Sequence, residues 1–375
     1  MTSSKSNHIT SKVISNISPE AIRLLGPEKT KKQDLAISKK YTVVGIGNAI
    51  VDILANVDER FLDVHKMEKG MMQLIDEDGI ASLHKKIRAE KQASGGSAAN
   101  TIAGLASLGH TTAFIGKVKD DELGRTFEKG LNDIGVIYCT KRASEGNSTA
   151  CCVVLSTPDA QRTMNTCLGI SGTLGPEDID EKIISEAGIV YLEGYLWDTE
   201  PAKAAFKKAI NIVGKVGGQV ALSLSDSFCV QRHRAEFLEL VQDHTDILFA
   251  NEDEIKNLFE AASFEEALKS CAGYNNIFVL TRGELGSVII HGKEYYEISP
   301  EKDIKVLDTT GAGDMYAAGF LHGYINKEDL AICGRMGNIT AAAVIAHFGA
   351  RPEISLAQVL EEKLKENHTG RKNNV

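Results

Sequence analysis

The sequence predicts an α/β fold: a mostly parallel central sheet with helices on both faces, and a few strands standing outside it. Three observations carry this. From Tyr41 onward, short apolar and β-branched runs alternate with helical patterns, as in parallel sheets covered on both sides. Two stretches, 53–75 and 137–165, break that alternation and read as antiparallel strands of their own. Finally, a Gly turn flanked by carboxylates, Asp308-Thr309-Thr310-Gly311-Ala312-Gly313-Asp314, joins a β-like run to a small-residue helical run.

In chain order, residues 1–40 are rich in Ser and Lys with little apolar periodicity, which predicts a disordered tail. They lack the apolar run of a secretory signal. Val43–Ile46 reads as a buried strand that stays strand-like to Ile53, with Asp52 near its end. Ile53–Val57, Met71–Leu74, Thr149–Leu155 and Gln161–Met164 are the strands expected outside the main sheet, with a turn at Pro158-Asp159. Gly95-Gly96 leads into a small-residue helix from Ser97 to Leu108, followed by a strand over Ala113–Gly116. Strands then follow at Ile189–Leu192, Val220–Leu224, Ile247–Ala250 and Ile277–Thr281, each beside a helical pattern. Asp303–Val306 reads as a short β-like run, Met315–Leu321 and Gly337–Ala346 as helices. The folded domain is expected over 41–363, with a polar tail over 364–375.

Composition narrows the function. Net charge is −9 with no extended basic block, which argues against nucleic acid as a partner. No apolar run approaches the ~20 residues of a membrane span. The seven Cys are odd in number and form no CxxC pair, and the ten His show no HExxH spacing. These read as reduced thiols of a cytoplasmic protein, without a zinc site. None of the Gly-Lys pairs at 116, 214 and 292 is followed by Ser or Thr, so there is no P-loop of the Walker A kind.

Gly311, Ala312 and Gly313 let backbone N–H groups converge at a helix start, an arrangement that holds a multiply charged anion. Asp314 beside them would repel a phosphate, unless it takes the proton of a hydroxyl that attacks it. The simpler alternative is a capped helix after a Gly turn. Gly95 and Gly96 allow a ligand close to the backbone, and Asn100 offers both donor and acceptor, although Ser97 could merely cap the helix. Asp52, in an apolar run, needs partners, either the Gly96 turn or a pair of vicinal hydroxyls. Asn251 and Glu254 follow a strand at a helix start, where capping alone would explain them. Asn338 sits in mid-helix and needs a hydrogen-bond partner.

The stretch Asp308–Leu321 resembles the C-terminal signature of the ribokinase-like, or PfkB, kinase family, and Gly95–Asn100 resembles its N-terminal signature. The resemblance spans about residues 41–355. It implies a ribokinase-like three-layer αβα domain with a small β-sheet lid inserted from about 53–75 and 137–165. It also implies an enzyme that uses ATP and Mg²⁺ to phosphorylate a hydroxymethyl group. Asp314 would be the catalytic base and the 311–313 amides the anion hole. Gly47–Ile53, with Val57-Asp58 and Phe61-Leu62-Asp63, resembles the adenosine kinase branch. In that branch Asn48 and Asp52 would hold the ribose, Gly95, Gly96 and Asn100 the acceptor hydroxyls, and Tyr195 or Trp197 the base. Arg162 and Asn165 would face the acceptor. On the nucleotide side, Asn251 and Glu254 would organise Mg²⁺ through water. Thr281, Gly283 and Gly286 would border the ATP phosphates, and Asn338 the adenine. Asp308, Thr310 and Gly349 would hold a monovalent cation such as K⁺. Ser97-Ala98-Ala99-Asn100 is nearer the general sugar-kinase form, so a sugar kinase for fructose, ribose or a keto-deoxy acid is the alternative. The implied partners are ATP and a small-molecule acceptor, with a monomer or homodimer as the expected state.

Overall fold

A three-residue break, Gly47-Asn48-Ala49, sends the chain from one sheet into another in the computed structural model of this protein, which describes residues 39–372 apart from 160, 293 and 353. The expected tail over 1–40 lies almost wholly outside those residues. In chain order the strands are β1 (Tyr41–Ile46), β2 (Ile50–Asn56), β3 (Met72–Leu74), β4 (Lys91–Gly95), β5 (Thr112–Ile115), β6 (Ile137–Tyr138) and β7 (Ala150–Ser156). They continue as β8 (Arg162–Cys167), β9 (Ala187–Glu193), β10 (Gln219–Ser223), β11 (Ile247–Asn251), β12 (Ile277–Thr281), β13 (Ser287–His291) and β14 (Glu294–Ile298). The run expected as one strand from Val43 to Ile53 is therefore β1 and β2, in different sheets.

The main sheet has nine strands in the order β14-β13-β12-β11-β10-β9-β1-β5-β6. It is parallel from β12 through β6; at one edge β13 pairs antiparallel with β12 and β14 pairs antiparallel with β13, so β13 alone runs against the rest. Alternate residues of each strand enter opposite cores. Val43, Ile189, Tyr191, Ala221, Phe249 and Val279 pack with helices Ser97–Ser107 and Ala312–Ile325. Val44, Val190, Leu192, Leu222, Leu248 and Leu280 pack with Phe206, Phe237 and Leu258 of helices on the other face. Two apolar layers around one sheet give the three-layer αβα arrangement of the ribokinase-like fold.

The second sheet has five strands, β3-β8-β7-β2-β4. Antiparallel pairing was expected here, but β2–β7 and β3–β8 are parallel; only β7–β8 and β2–β4 are antiparallel. Long connections separate the parallel partners, so a hairpin rule does not apply. β4 joins this sheet without a sequence signal of its own, while β6 belongs to the main sheet. Residues 303–306 form no strand; just after them, Leu307 and Asp308 N–H groups donate to Ile345 O at 2.8 and 3.2 Å. The last helix, Leu356–Lys372, runs on through position 364, where a polar tail was expected. Among the described residues, no helix is long and apolar enough to cross a membrane.

Candidate active site

The carboxyl ends of β9 to β12 open onto one cavity of about 300 Å³, the usual ligand position in an open α/β sheet. Its walls include Ser97, Asn251, Glu254, Thr281, Thr309 and the segment Gly311–Asp314. Gly311 stands at the N-cap of helix Ala312–Ile325 with φ 77°. A Cβ there would lie 2.6 Å from Ala350 O, so only Gly lets this turn close against the 347–351 loop. Ala312 N–H is turned back onto Thr309 O at 3.2 Å. Gly313 follows in the first helical turn, whose N–H groups lack intrahelical acceptors, and nothing lies within 4 Å of where its Cβ would be.

Asp314 occupies the same helical turn, facing the start of helix Ser97–Ser107. Ser97 Oγ–H donates to its Oδ1 at 2.6 Å, and Asn100 Nδ2–H donates to its Oδ2 at 3.0 Å. Burial pushes the Asp314 carboxyl up to about 6, against the lowering pull of these two donors and of Arg351. It is therefore ionised near neutral pH and more basic than an ordinary carboxylate, as a general base should be. Ser97, which the sequence offers as a helix cap, is instead a donor to this carboxylate.

Asp52 enters from β2 of the lid. Gly95, its diagonal neighbour on β4, makes room: a Cβ there would lie 2.3 Å from Asp52 Oδ2. Burial raises the Asp52 carboxyl to about 6, and Arg351 and Arg162 oppose that rise. The described residues supply it with charges but no hydrogen-bond donor. Asn48 is differently placed from expectation. Its Nδ2–H donates to Glu193 Oε1 at 2.8 Å, and Ser171 Oγ–H donates to its Oδ1 at 2.9 Å, so both ends of the amide are engaged inside the protein. Glu193 Oε2 in turn accepts Ala98 N–H at 2.8 Å. A carboxylate thus serves the start of helix Ser97–Ser107, whose N-cap residue is Gly96 with no side chain to offer. Gly96 itself has φ 94°, pressed against Asn48 O.

The lid sheet orders its residues in rows across paired strands. Ala93, Asp52, Cys152, Thr166 and Leu74 form one row; Leu54, Val154, Met164 and Met72 form the next; Asn56, Ser156 and Arg162 the third. Residues two apart on a strand share a face, and this face looks onto the Gly turn, because Arg162 Nη1 donates to Asp308 Oδ2 at 2.7 Å. The Asp308 carboxylate also accepts Thr310 N–H (3.1 Å), Thr310 Oγ–H (2.8 Å) and Gly349 N–H (2.7 Å). Four donors fill its four lone-pair sites. Asp308, Thr310 and Gly349 do come together as expected. In this arrangement, however, the carboxylate has no position left for a monovalent cation, and the positive charge beside it is Arg162. Asn165 lies elsewhere: fully buried in β8, it accepts Gln73 Nε2–H at 2.5 Å.

At the carboxyl end of β11, Asn251 and Glu254 form a reciprocal cap. Asn251 Oδ1 accepts Glu254 N–H at 2.8 Å, and Glu254 Oε2 accepts Asn251 N–H at 3.0 Å. Glu254 is buried, which raises its carboxyl to about 7, yet it faces the same cavity as Asp314. No group of three metal-ligating side chains exists among the described residues. The pair could hold a hydrated Mg²⁺ through the ion's waters. Thr281 lines the cavity, and Gly283 and Gly286, both at positive φ, shape the turn after it. Asn338 donates to Ser299 O at 2.8 Å, which answers its need for a partner in mid-helix.

The expected aromatic wall for a base is not formed by Tyr195 and Trp197. Trp197 is buried between Phe206 and Phe237, with its Nε1–H on Glu236 Oε2 at 2.5 Å. Tyr195 lines the cavity with Asn251 and Gly311, on the anion side, away from the lid rows.

The chain is similar to known proteins both in sequence and in fold. The family model described as pfkB family carbohydrate kinase matches residues 63–356. An adenosine kinase structure from Sinorhizobium meliloti is 43% identical with a TM-score of 0.80, covering 86% of this chain and 99% of that one. A probable sugar kinase from Rhizobium etli is 40% identical with a TM-score of 0.81, covering 87% and 99%. An ATP-dependent ribose-1-phosphate kinase from Halopiger xanaduensis is 30% identical over 74% of this chain and 88% of its own.

Proposed function

This chain belongs to the pfkB family of carbohydrate kinases, and we propose that within it the chain transfers the γ-phosphoryl group of ATP to the 5′-hydroxyl of adenosine or a related nucleoside. The observation that carries the reading is Asp52: a carboxylate that none of the described residues supplies with a hydrogen-bond donor, on a lid face directed toward Asp314 and one row from Leu54, Val154, Met164 and Met72. Vicinal ribose hydroxyls supply the donors that Asp52 lacks. The aliphatic row offers an apolar surface for the base, in the role expected of an aromatic ring. The 43% identity to an adenosine kinase supports the same choice.

Asp314 accepts the proton of the acceptor hydroxyl as its oxygen bonds to phosphorus, while Ser97 and Asn100 keep the carboxylate aimed. The free amides of the Gly turn stabilise charge on the transferred group, and fixed donors of this kind need no reorganisation during reaction. Mg²⁺ supplies electrostatic stabilisation of the phosphates when bound, and Asn251 and Glu254 would hold it through water.

ADP formation across a panel of adenosine, inosine, ribose, ribose-1-phosphate, fructose and a keto-deoxy sugar acid tests the reading. Adenosine or another nucleoside is expected to give the highest kcat/KM. A sugar or sugar acid exceeding every nucleoside would transfer the assignment to the sugar-kinase alternative.

A further inference from the structure

We infer that Arg351 is a positioning residue for the transfer reaction: it locks the Asn100 amide with its NH₂ turned onto Asp314, and so holds the catalytic carboxylate ionised and in place. The inference rests on the kinase reading, but not on which acceptor is used.

Arg351 follows the loop that closes on Gly311 and reaches into the cleft between two carboxylates. Its Nε–H donates to Asn100 Oδ1 at 3.0 Å, and its Nη1–H donates to Ser94 Oγ at 2.8 Å. An Asn amide is nearly symmetric in shape, so its orientation must be set by its partners. With a guanidinium N–H on Oδ1, the other end must be the NH₂ group, and that end meets Asp314 Oδ2 at 3.0 Å. A flipped amide would put an oxygen against the carboxylate and an NH₂ against the guanidinium, two repulsive contacts instead of two attractive ones. The Ser94 bond fixes the guanidinium plane from the lid strand β4, so Arg351 ties lid, helix start and Gly-turn loop to one carboxylate. Nη2 is sealed from solvent and has no hydrogen-bond partner among the described residues. An unpaired buried donor is costly, and its retention suits a residue kept for charge and orientation more than for packing.

The electrostatics agree. Burial lowers the Arg351 guanidinium to about 10, and Asp52 and Asp314 hold it up, so it is cationic at neutral pH. The groups that face Asp314 are Ser97 and Asn100 from one helix, Tyr191 and Glu193 from β9, Tyr195 beyond it, Asp52 from the lid and Arg351 from the loop. Among the described residues Arg351 is the only fixed cation in that set, and without it those that remain around the carboxylate are neutral or acidic.

The test uses kcat against pH for the wild type, Arg351→Met, Arg351→Lys, Asn100→Ala and the Met/Ala double variant, on the best acceptor of the panel. Arg351→Met is expected to lower kcat by roughly 10–100-fold and to move the acid limb of the profile up by about a pH unit, as loss of a nearby opposite charge does. Because Arg351 orients the site through Asn100, the plateau kcat of the double variant, above the acid limb, should be no lower than that of Asn100→Ala alone. Arg351→Lys keeps the charge but cannot donate in the same fork. It is expected to leave the acid limb near its wild-type place while losing about fivefold or more in kcat. An unmoved acid limb in the Met variant, or fully additive losses in the double variant, would overturn the inference. If the Met variant does not fold, wild-type kcat in the Lys variant would overturn it. Carboxyl titration of ¹³C-labelled Asp, assigned with Asp314→Asn, reads the same shift without turnover. A failed acceptor assignment therefore leaves a separate signature: no turnover in the wild type, but an intact Asp314 midpoint that still rises in Arg351→Met.

Discussion

Arg162 of the lid and Asp308 of the Gly-turn segment form an ion pair at 2.7 Å, with side chains only 9% and 3% exposed. This pair, with Arg162 also lying 5.5 Å from the Phe348 ring, fastens the lid sheet to the loop that shapes the anion site. Breaking one partner of such a buried pair costs about 3–5 kcal/mol, because the other charge is left uncompensated. Arg162→Met is therefore expected to raise the acceptor KM by about tenfold or more while lowering kcat less, and to lower Tm. Equal KM values in variant and wild type would remove the latch.

The same pair bears on cation dependence. Since Arg162 supplies the charge at Asp308, wild-type rates are expected to agree within about twofold in K⁺, Na⁺ and tetramethylammonium at equal ionic strength. Arg162→Met, which empties that position, should become K⁺-stimulated. A strong K⁺ requirement in the wild type would show that Arg162 leaves Asp308 during turnover.

Asp52 predicts substrate choice. Removing a 2′ or 3′ hydroxyl leaves its carboxylate without that donor, a loss of about 1–3 kcal/mol. Adenosine should exceed 2′-deoxyadenosine by roughly tenfold or more in kcat/KM, and Asp52→Ala should erase most of that preference along with most of the activity. Equal turnover of the two nucleosides by the wild type would detach Asp52 from the ribose.

The buried acids also predict an unusual stability profile. Asp52 and Asp314 are raised to about 6, Glu193 and Glu254 to about 7. Between about pH 4 and 7 the folded state then binds more protons than the unfolded state, so these groups make stability fall as pH rises through that window. Asp314→Asn is expected to raise Tm by a few degrees at pH 7.5, with the gap closing by about pH 4. A variant less stable than wild type at pH 7.5 would contradict this.

A pair with the opposite sign sits at the far side of the helix that carries Asp314. His110 Nε2 and His322 Nδ1 are 2.8 Å apart, and burial lowers both, His110 to about 4. Their contribution to stability is full above the unfolded value near 6.5 and is lost as pH falls toward 4. His110→Gln should therefore narrow its Tm deficit against wild type as pH drops from 7 to 4.5. A deficit constant across that range would show that the pair does not titrate in the folded state.

What could be read from the sequence was chemistry carried by adjacent residues. Asp308 to Asp314 form their turn, helix start and carboxylate within seven consecutive positions, so the motif brings its geometry with it. The alternation of β9 to β12 with helices is equally local. What could not be read depends on distant partners. Trp197 is settled in the core by Glu236, and Asn48 is turned inward by Glu193 and Ser171, none of them near in sequence. Arg351 looks like a loop residue until β4 and helix Ser97–Ser107 are placed around it. The parallel pairing of β2 with β7 likewise has no local signal, since nearly a hundred residues separate the strands. Glu193, a charge ending a wholly apolar run, carries the sequence signal of a buried acid in need of donors.

If Asp314 takes the acceptor's proton beside the Gly turn, kcat for Asp314→Asn reports that step, with ATP affinity followed in parallel. The amide keeps the shape and the Ser97 contact but cannot accept a proton. The expected result is a fall in kcat of roughly 10²–10⁴, the span for a lost general base, with ATP binding essentially unchanged. A variant within about threefold of wild-type kcat, far below that span, would remove Asp314 from the chemistry.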